Sequence, residues 1–456
     1  MLKLSIISKL IIYLLVGLVQ VRGCYWNSRC SYELFGSKTP YDTVRGDIRD
    51  YPVPENCEAI SIWVLNRHGN RNPGSSVAIG MRAIADLKDE IIASYEAGES
   101  KLCSQDIDNF RNWYWNDTID VSHSYLTGVG YEELFGIGKR IQEKYPDLFN
   151  GQAEEFYFRP TNEQRTVTSC MAFVQGITNG LNLNVTVEGP RDIDDIIRPY
   201  SHCDRYQREV KEGEVLAEQL DYYFQSEEYV AVQAAVQERL GIKTPLDVFN
   251  IFSIYEMCRF YRSWTAVLQS PWCAAFSDKD LLVLEYYDDI RHYYRNGYGS
   301  KVNVNLGKPP LKDLYENFKS AVNGKGRKVT SYFTHDTMME MTLSALGVYK
   351  DEAPLQSTVR NADRIWRTSF IGAFSSNLIA VLNSCNDAGP TYKVQLFINE
   401  KETEICPVDG CTWEEFQDKF QAYSTANLDF CSVDNENNST SSINRILSWS
   451  RRSHRY

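Results

Sequence analysis

The hydrophobic pattern of the chain is clearest at residues 59–65, where aliphatic and aromatic side chains follow one another without a charge. A short apolar run of this kind, ended by a turn, is typical of a buried central strand. Only Asn66 separates it from a basic turn at residues 67–73, which contains a glycine and a proline. Ligands of open α/β sheets bind beyond the carboxyl ends of strands, so the pattern predicts that His68 lies at a ligand-binding edge.

The same periodicities predict further helices and strands along the chain. Around residues 77–95 apolar side chains recur at helical spacing, with Met81, Ile84 and Ile91 on one face. Residues 329–333 alternate as in a strand, and residues 338–346 then change to helical spacing. The other predicted elements are helices at 131–144, 166–177 and 413–423, strands at 155–158 and 378–382, and a hairpin that pairs 392–398 with 402–406.

Residues 200–295 have an almost wholly helical pattern that is rich in Tyr, Trp and Phe. We attribute these aromatic residues to core packing rather than to a ligand site. Because the segment separates two groups of strands, we expect a mainly α-helical cap at residues 196–299, inserted into an α/β domain of residues 24–195 and 300–430. The polar, Asn- and Ser-rich end predicts a mobile tail at residues 431–456.

The amino terminus has the pattern of a secretory signal. Lys3 and Lys9 precede an apolar run at residues 10–19, and the small residues Val21 and Gly23 follow it. This order predicts a cleaved signal peptide at residues 1–23. A retained anchor is the weaker alternative, because a membrane-spanning helix needs ~20 apolar residues. We therefore expect no stable membrane span after cleavage.

Twelve cysteines are compatible with an oxidising compartment and with up to six disulfides. Zinc binding is the weaker alternative, since the chain has no Cys-x-x-Cys pair and six histidines. Short separations suggest local bridges of Cys258 with Cys273 and of Cys406 with Cys411.

Sequons for N-glycosylation support the same compartment. The possible acceptors are Asn116, Asn184, Asn437 and Asn438. The protein is therefore expected to be glycosylated and either secreted or retained in the lumen of the secretory pathway.

The net charge is −12, from 48 basic and 60 acidic residues, which argues against nucleic-acid binding. A polyanionic small molecule would then have to be captured by a local positive cleft, because charges further than ~8 Å away are screened at physiological salt. Arg67, Arg71 and Arg165 are the expected members of this cleft. Lys38 is a further candidate, although an exposed lysine in a loop explains it equally well.

The basic turn has a composition suited to phosphate chemistry. Arg67 and Arg71 can each make bidentate contacts to a phosphate, and His68 between them can approach the phosphorus. Gly69 lets the backbone come close to a ligand, and Pro73 stiffens the loop. The alternative is a solvated basic loop with a chance histidine.

A second histidine lies at a predicted strand-to-helix turn, in the sequence Thr334-His335-Asp336-Thr337. An aspartate at such a turn most often caps the following helix. The adjacent His335, at what should be the same sheet edge as His68, favours a catalytic role for Asp336 instead. Both turns would then face one crevice.

These motifs resemble those of a known family. Residues 67–73 fit Arg-His-Gly-x-Arg-x-Pro, which resembles the signature of the histidine acid phosphatases, the branch 2 histidine phosphatases that include phytases. Residues 159–169 resemble the segment that carries a third phosphate-binding arginine, here Arg165, and residues 126–130 resemble the start of a family helix. The resemblance implies a phosphoglycerate mutase-like α/β fold, with a mostly parallel central sheet flanked by helices and an inserted α-helical cap.

Within that family, the chain is most similar to the multiple inositol polyphosphate phosphatases. The segments that carry this resemblance are 33–41, 270–276, 283–286, 296–299, 375–378, 392–395 and 399–400, so that it runs from about residue 33 to about residue 420. This resemblance also suggests a bridge between Cys57 and Cys385. One departure concerns the distal motif, which in many such enzymes is His-Ala-Glu with the glutamate as proton donor. The present chain has His335-Asp336-Thr337, as phytases do, which leaves its preference among ring positions open.

The resemblance implies a phosphomonoesterase of inositol polyphosphates, including inositol hexakisphosphate, with 2,3-bisphosphoglycerate as a further candidate. It implies no metal or other cofactor, because the arginines neutralise the phosphate. A broad-specificity secreted acid phosphatase is the alternative, and a catalytically silent extracellular binding protein is a weaker one. The implied roles are nucleophile for His68, proton donor for Asp336, and phosphate binding for Arg67, Arg71, Arg165 and His335.

Overall fold

The computed structural model of the protein describes residues 32–264, 270–386, 390–406 and 409–433. The predicted signal peptide at residues 1–23 and the possible acceptors Asn437 and Asn438 lie outside these ranges, as does nearly all of the predicted tail. No helix within the described ranges is long and apolar enough to cross a membrane.

A mixed sheet forms the centre of the described structure. Its spatial order is β3-β2-β4-β1-β5-β6-β7, with β8 paired to β6. The pairs from β3 to β1 are parallel, whereas β5 and β6 continue the sheet in antiparallel fashion. The strands are β1 (Cys57–Arg67), β2 (Phe156–Pro160), β3 (Thr186–Val187), β4 (Val329–Thr334), β5 (Asn377–Asn386), β6 (Pro390–Ile398), β7 (Lys401–Glu402) and β8 (Cys411–Thr412).

Helices flank the sheet and fill the long connection between β3 and β4. Before β3 the helices are α1 (Tyr41–Val44), α2 (Ser75–Ala85), α3 (Leu87–Glu96), α4 (Ser104–Asn112), α5 (Thr118–Val121), α6 (Gly128–Lys144) and α7 (Gln164–Ile177). Between β3 and β4 they are α8 (Glu214–Phe224), α9 (Glu227–Leu240), α10 (Val248–Trp264), α11 (Asp278–Asn296), α12 (Lys301–Leu306) and α13 (Lys308–Val322). After β4 they are α14 (Asp336–Leu346), α15 (Thr368–Ile371) and α16 (Trp413–Phe420).

The sheet is buried on both faces, because successive side chains of a strand point to opposite sides. In β1, Trp63 and Leu65 join the larger core, which also contains most of the buried side chains of α9 to α11. Ile62 and Val64 point the other way, into a core shared with α6 and α7. The predicted α/β fold with a central, mostly parallel sheet between helices is thus confirmed, and the helical segment shares its core with one face of that sheet.

Register places the ends of three parallel strands in one row. Arg67 of β1 lies opposite Thr334 of β4, and Phe333 lies opposite Pro160 of β2. The segments that follow these strands begin with His68, His335 and Thr161. The fold therefore brings segments that are far apart in sequence to one carboxyl edge.

Two elements differ from their prediction. The helical stretch at residues 77–95 is divided into α2 and α3 at Asp86. The predicted strand at 402–406 is wrong, since β7 ends at Glu402. Asn399 and Glu400 both have positive φ, 52° and 58°, which makes a tight two-residue hairpin turn. Buried Glu400 is held there by Arg140, with an N–O distance of 2.6 Å.

All three suggested disulfides are present: Cys57–Cys385, Cys258–Cys273 and Cys406–Cys411. Sequence reasoning missed a fourth, Cys203–Cys431, which joins residues 228 positions apart. Cys170 is a buried free thiol, so the expected maximum of six bridges is not reached.

The start of α6 packs directly on the basic turn after β1. A Cβ atom on Gly69 would collide with the backbone of Gly130, and one on Gly130 would collide with the backbone of Asn70. Thr127, the residue before α6, donates its backbone N–H to the carbonyl oxygen of Asn70 at 2.9 Å. The close approach of the two backbones fixes where the turn lies.

We predict that Gly130→Ala destabilises the protein by about 1–3 kcal/mol, the usual cost of overpacking. Gly128→Ala is the matched control, because a Cβ at Gly128 meets no atom within 4 Å. Thermal unfolding of both variants measures the difference. Equal melting temperatures would contradict the packing described here.

Candidate active site

A polar cavity of about 420 Å³ opens at the carboxyl edge of the parallel strands. Five of the six residues predicted for the site line it, and Arg67 lies behind them. The remaining lining residues come mainly from the segment between β3 and β4. The lining residues are His68, Arg71, Arg165, Arg198, Tyr200, Ser201, Tyr206, Gln207, Lys211, Arg295, His335, Asp336 and Thr337.

His68 is fixed in one orientation and one tautomer. Its backbone N–H donates to the carbonyl oxygen of Thr334 at 2.9 Å. Its Nδ1 lies 2.8 Å from the carbonyl oxygen of Gly69, and since a carbonyl oxygen only accepts, Nδ1 carries the proton. The lone pair of Nε2 is then available for nucleophilic attack.

The charge state of His68 also suits a nucleophile. The residue is 2% exposed. Burial lowers the pKa of His68 well below its usual value, and the neighbouring positive charges of Arg67, Arg165 and Arg71 lower it further. The imidazole is therefore neutral over the physiological pH range.

Arg67 is fully buried. Its guanidinium contacts backbone carbonyl oxygens on one side and Asp336 on the other. One terminal amino group donates to the carbonyl oxygens of Ser37, at 2.7 Å, and of Gly372. The other lies 3.3 Å from Oδ2 of Asp336. Neither that amino group nor Nε has a hydrogen-bond partner among the described residues. Arg67 thus joins the surrounding fold to Asp336 from behind the cavity wall.

Arg71 and Arg165 are two arginines of the cavity wall. Arg71 lies within the basic turn, and burial beside Arg165 and Arg67 lowers its pKa to about 9. Arg165 lies in the first turn of α7, where the helix dipole also favours an anion. Burial lowers the pKa of Arg165 as well. Like charges held this close create a strong local attraction for a phosphate.

His335 links two of these segments. Its Nδ1 lies 3.3 Å from the guanidinium of Arg165, and its Nε2 lies 3.1 Å from Oγ1 of Thr161. Because a guanidinium only donates, Nδ1 accepts and Nε2 carries the proton. Burial, followed by the charge of Arg165, lowers the pKa of His335 well below its usual value. The ring centroids of His68 and His335 are 5.6 Å apart.

Asp336 is the first residue of α14, and His335 is the residue before the helix. Oδ1 of Asp336 accepts the backbone N–H of Thr337 at 2.8 Å. The capping alternative is wrong in its position, because the N-cap residue is His335 and no side chain caps the helix. Burial alone would raise the pKa of Asp336, but the positive charges around it, Arg67 foremost, hold that pKa well below its usual value. The carboxylate is therefore ionised when the site holds no anion.

Sequence reasoning missed several basic residues of the cavity wall. Arg198, Lys211 and Arg295 line it, yet no motif marks them, and only their place in the segment expected to cover the crevice points to them. The exposed-loop interpretation of Lys38 is wrong, because Lys38 is 7% exposed. Burial lowers its pKa to about 7. Its Nζ donates to Oγ of Ser37 at 2.7 Å, and Lys38 is not part of the cavity wall.

Comparison with known proteins agrees with this geometry. Residues 60–399 match the family model of the histidine phosphatase superfamily (branch 2). The chain belongs to this family. It is 32% identical over 439 residues to multiple inositol polyphosphate phosphatase 1 of Drosophila melanogaster, with 92% of each chain covered. The resemblance inferred from the sequence motifs, and with it the enzyme class of a phosphoric monoester hydrolase, is confirmed.

Solved structures of the family share the fold. The phytase from D. castellii superposes with a TM-score of 0.68 at 17% identity, covering 82% of this chain and 81% of that one. Multiple inositol polyphosphate phosphatase from Bifidobacterium longum, in complex with inositol hexasulfate, has a TM-score of 0.64 at 16% identity. That match covers 82% of this chain and 94% of the bacterial one.

The buried neutral histidines predict how stability depends on pH. The unfolded chain takes up a proton at each histidine near pH 6.5, whereas folded His68 and His335 do so only at a pH well below that value. Stability should therefore fall as the pH falls below about 6.5, by up to ~1.4 kcal/mol per pH unit for each histidine. We predict that His68→Ala loses less stability than the natural protein between pH 6.5 and 4.5, because the unfolded variant takes up one proton fewer. Urea unfolding at both pH values measures this, and equal losses would contradict it.

Proposed function

We propose that the protein is a phosphomonoesterase of the secretory pathway that removes phosphates from inositol polyphosphates through a phosphohistidine intermediate. The observation that supports this most strongly is the buried, neutral His68, whose free Nε2 faces a cavity that is also lined by Arg71, Arg165 and Asp336. The side chains needed to bind, attack and protonate a phosphomonoester thus lie at one sheet edge.

In the first step, Nε2 of His68 attacks phosphorus while the bond between phosphorus and the ester oxygen breaks. Protonated Asp336 gives its proton to the leaving oxygen, which departs as an alcohol. In the second step, water attacks the phosphohistidine, Asp336 takes up a proton from this water, and the phosphorus–nitrogen bond breaks. Two displacements replace one more difficult displacement. The arginines stabilise charge on the phosphoryl oxygens, and His335 contributes by holding the guanidinium of Arg165, which lies 3.3 Å from its Nδ1.

The low pKa of Asp336 in the empty site requires a source for the proton that it donates. The charge of Arg67 is what keeps the carboxylate ionised. A bound phosphate brings negative charge to the same place, offsets that of Arg67 and Arg165, and raises the pKa of Asp336. Substrate binding and proton uptake are therefore coupled in this proposal.

The cavity wall supports a substrate with more than one phosphate. Arg198, Lys211 and Arg295 line it in addition to the arginines that surround His68. One phosphate can occupy the position beside His68, while others on the same ring contact these three cations. Two similar proteins are named multiple inositol polyphosphate phosphatases, and one of them was crystallised with inositol hexasulfate.

A second candidate is a secreted acid phosphatase that acts on varied monoesters. The sequence His335-Asp336-Thr337 is compatible with it, because this motif resembles that of ordinary acid phosphatases as well as that of phytases. A silent binding protein is disfavoured, since His68, Asp336 and the surrounding cations are all present. A substrate panel decides between the two enzymes.

Secretion and glycosylation are part of the proposal. Four disulfides join described residues, which fits an oxidising compartment. Asn116 and Asn184 are both exposed, so a glycosyltransferase can reach them. The division into an α/β domain and a cap at residues 196–299 likewise remains a proposal, supported by the run of helices α8 to α11.

Replacing the proton donor tests the mechanism. We predict that Asp336→Asn lowers kcat on inositol hexakisphosphate by about 10²–10⁴-fold, the usual contribution of general acid catalysis. The loss on an activated aryl phosphate should be much smaller, because that leaving group departs without a proton. Rapid-quench assays with substrates that carry radiolabelled phosphate groups measure the rates on both substrates. His68→Ala is the control and should trap no label with either substrate. Equal losses of Asp336→Asn on both substrates would argue against a proton donor.

Removing a distal cation tests the substrate class. We predict that Lys211→Gln lowers kcat/KM for inositol hexakisphosphate by about 10-fold, as expected for one charge-assisted hydrogen bond. Its kcat/KM for an aryl monophosphate should stay unchanged. Arg208→Gln is the matched control, because Arg208 is exposed in the same helical turn but does not line the cavity. A panel that includes 2,3-bisphosphoglycerate provides the comparison, and a uniform effect on all substrates would favour the broad acid phosphatase.

A further inference from the structure

The two peptide groups on either side of Gly69, in the basic turn, are held by hydrogen bonds. The carbonyl oxygen of His68 accepts the backbone N–H of Ser375 at 3.1 Å. The backbone N–H of Gly69 donates to Oγ of Ser169 at 3.1 Å. The backbone N–H of Asn70 donates to Oε2 of Glu133 at 2.8 Å. The turn is therefore positioned by groups that come from distant segments.

Glu133 and Ser375 are also joined to each other. Oγ of Ser375 donates to Oε2 of Glu133 at 2.8 Å, the same oxygen that accepts from Asn70. Through this contact, the peptide groups before and after Gly69 are tied into one ring of hydrogen bonds. Ser375 connects to the His68 side of the ring, and Glu133 connects to the Asn70 side.

The backbone of Ser375 and the carboxylate of Glu133 are each held in an energetically unfavourable state. Ser375 has a φ of 56°, in the left-handed region that a non-glycine residue enters at a cost of roughly 1–2 kcal/mol. Burial raises the pKa of Glu133 to about 7, so enclosing its carboxylate is unfavourable at neutral pH. Strain of this kind persists where the surrounding structure enforces it, often at functional sites.

We infer that Glu133 and Ser375 are positioning residues that clamp the turn on both sides of Gly69 and thereby set the place of the His68 imidazole for attack on phosphorus. Neither residue lines the cavity, so neither touches the substrate. The effect of the clamp passes through the backbone of His68. This inference rests on the proposed function, since it assigns a role in the same reaction.

The test compares variants that remove or keep the hydrogen-bond acceptor. Glu133→Leu removes it, whereas Glu133→Gln keeps one carbonyl oxygen that can accept from both Asn70 and Ser375. Ser375→Ala removes the hydroxyl donor alone. Glu132→Leu is the matched control, because Glu132 is the exposed neighbour of Glu133 on α6.

We expect Glu133→Leu to lower the rate of phosphoenzyme formation by roughly 100-fold, the scale of a misplacement of about 1 Å. The inhibition constant of inorganic phosphate should change less than ~3-fold, because the arginines that bind it are untouched. Glu133→Gln should restore the rate to within ~5-fold of the natural protein, since the acceptor is regained. The double variant of Glu133→Leu and Ser375→Ala should be no slower than Glu133→Leu alone, because both changes break the same clamp.

Two results would overturn the inference. One is a phosphoenzyme rate in Glu133→Leu and Ser375→Ala that equals the rate of Glu132→Leu. The other is a phosphate inhibition constant that worsens in proportion to the rate, which indicates general damage to the site. If Glu133→Leu does not fold, Ser375→Ala decides by the same two measurements, since it removes the hydroxyl that joins the two sides of the clamp. A failure of the proposed function would appear separately, as the absence of a His68-dependent phosphoenzyme in the natural protein.

Discussion

The site depends on the register of three parallel strands. Because Arg67 lies opposite Thr334, and Phe333 lies opposite Pro160, the segments after β1, β4 and β2 leave the sheet side by side. Each segment carries one residue of the proposed chemistry: His68 after β1, Asp336 after β4 and Arg165 after β2. A shift of one residue in either pairing would turn the strand side chains to the wrong face of the sheet. The register that buries both faces of β1 therefore also aligns the site.

The second requirement is electrostatic. The fold gathers several cations around a buried imidazole, and burial lowers the pKa of Arg67, Arg71 and Arg165. Such an arrangement is unfavourable without an anion, and the rigid framework of the sheet and α6 maintains it. Binding a phosphate relieves the repulsion, so part of the affinity for an anion is already present in the empty fold.

Much of this arrangement could be predicted from the sequence, and the rest depends on contacts between distant segments. The strand before the basic turn and the helix after Asp336 follow from local periodicity, and the motif residues follow from their chemistry. By contrast, the split at Asp86, the short β7 and the burial of Lys38 depend on packing. Glu400, which no periodicity marks, is buried because it pairs with Arg140. Lys211 was missed because its place in the cavity wall depends only on which side of its helical turn faces the cavity.

The disulfide between Cys203 and Cys431 gives the carboxyl-terminal region a place in the architecture of the cavity. It belongs to a small core with Tyr206 of the cavity wall and with Met338 and Met341 of α14. The wall that faces substrate and the helix that begins with Asp336 are thereby joined to the last described turn of the chain. Changes of length or sequence near residue 431 would consequently reshape the substrate entrance without altering any residue of the sheet. Substrate range and chemistry can diverge independently in such a scaffold.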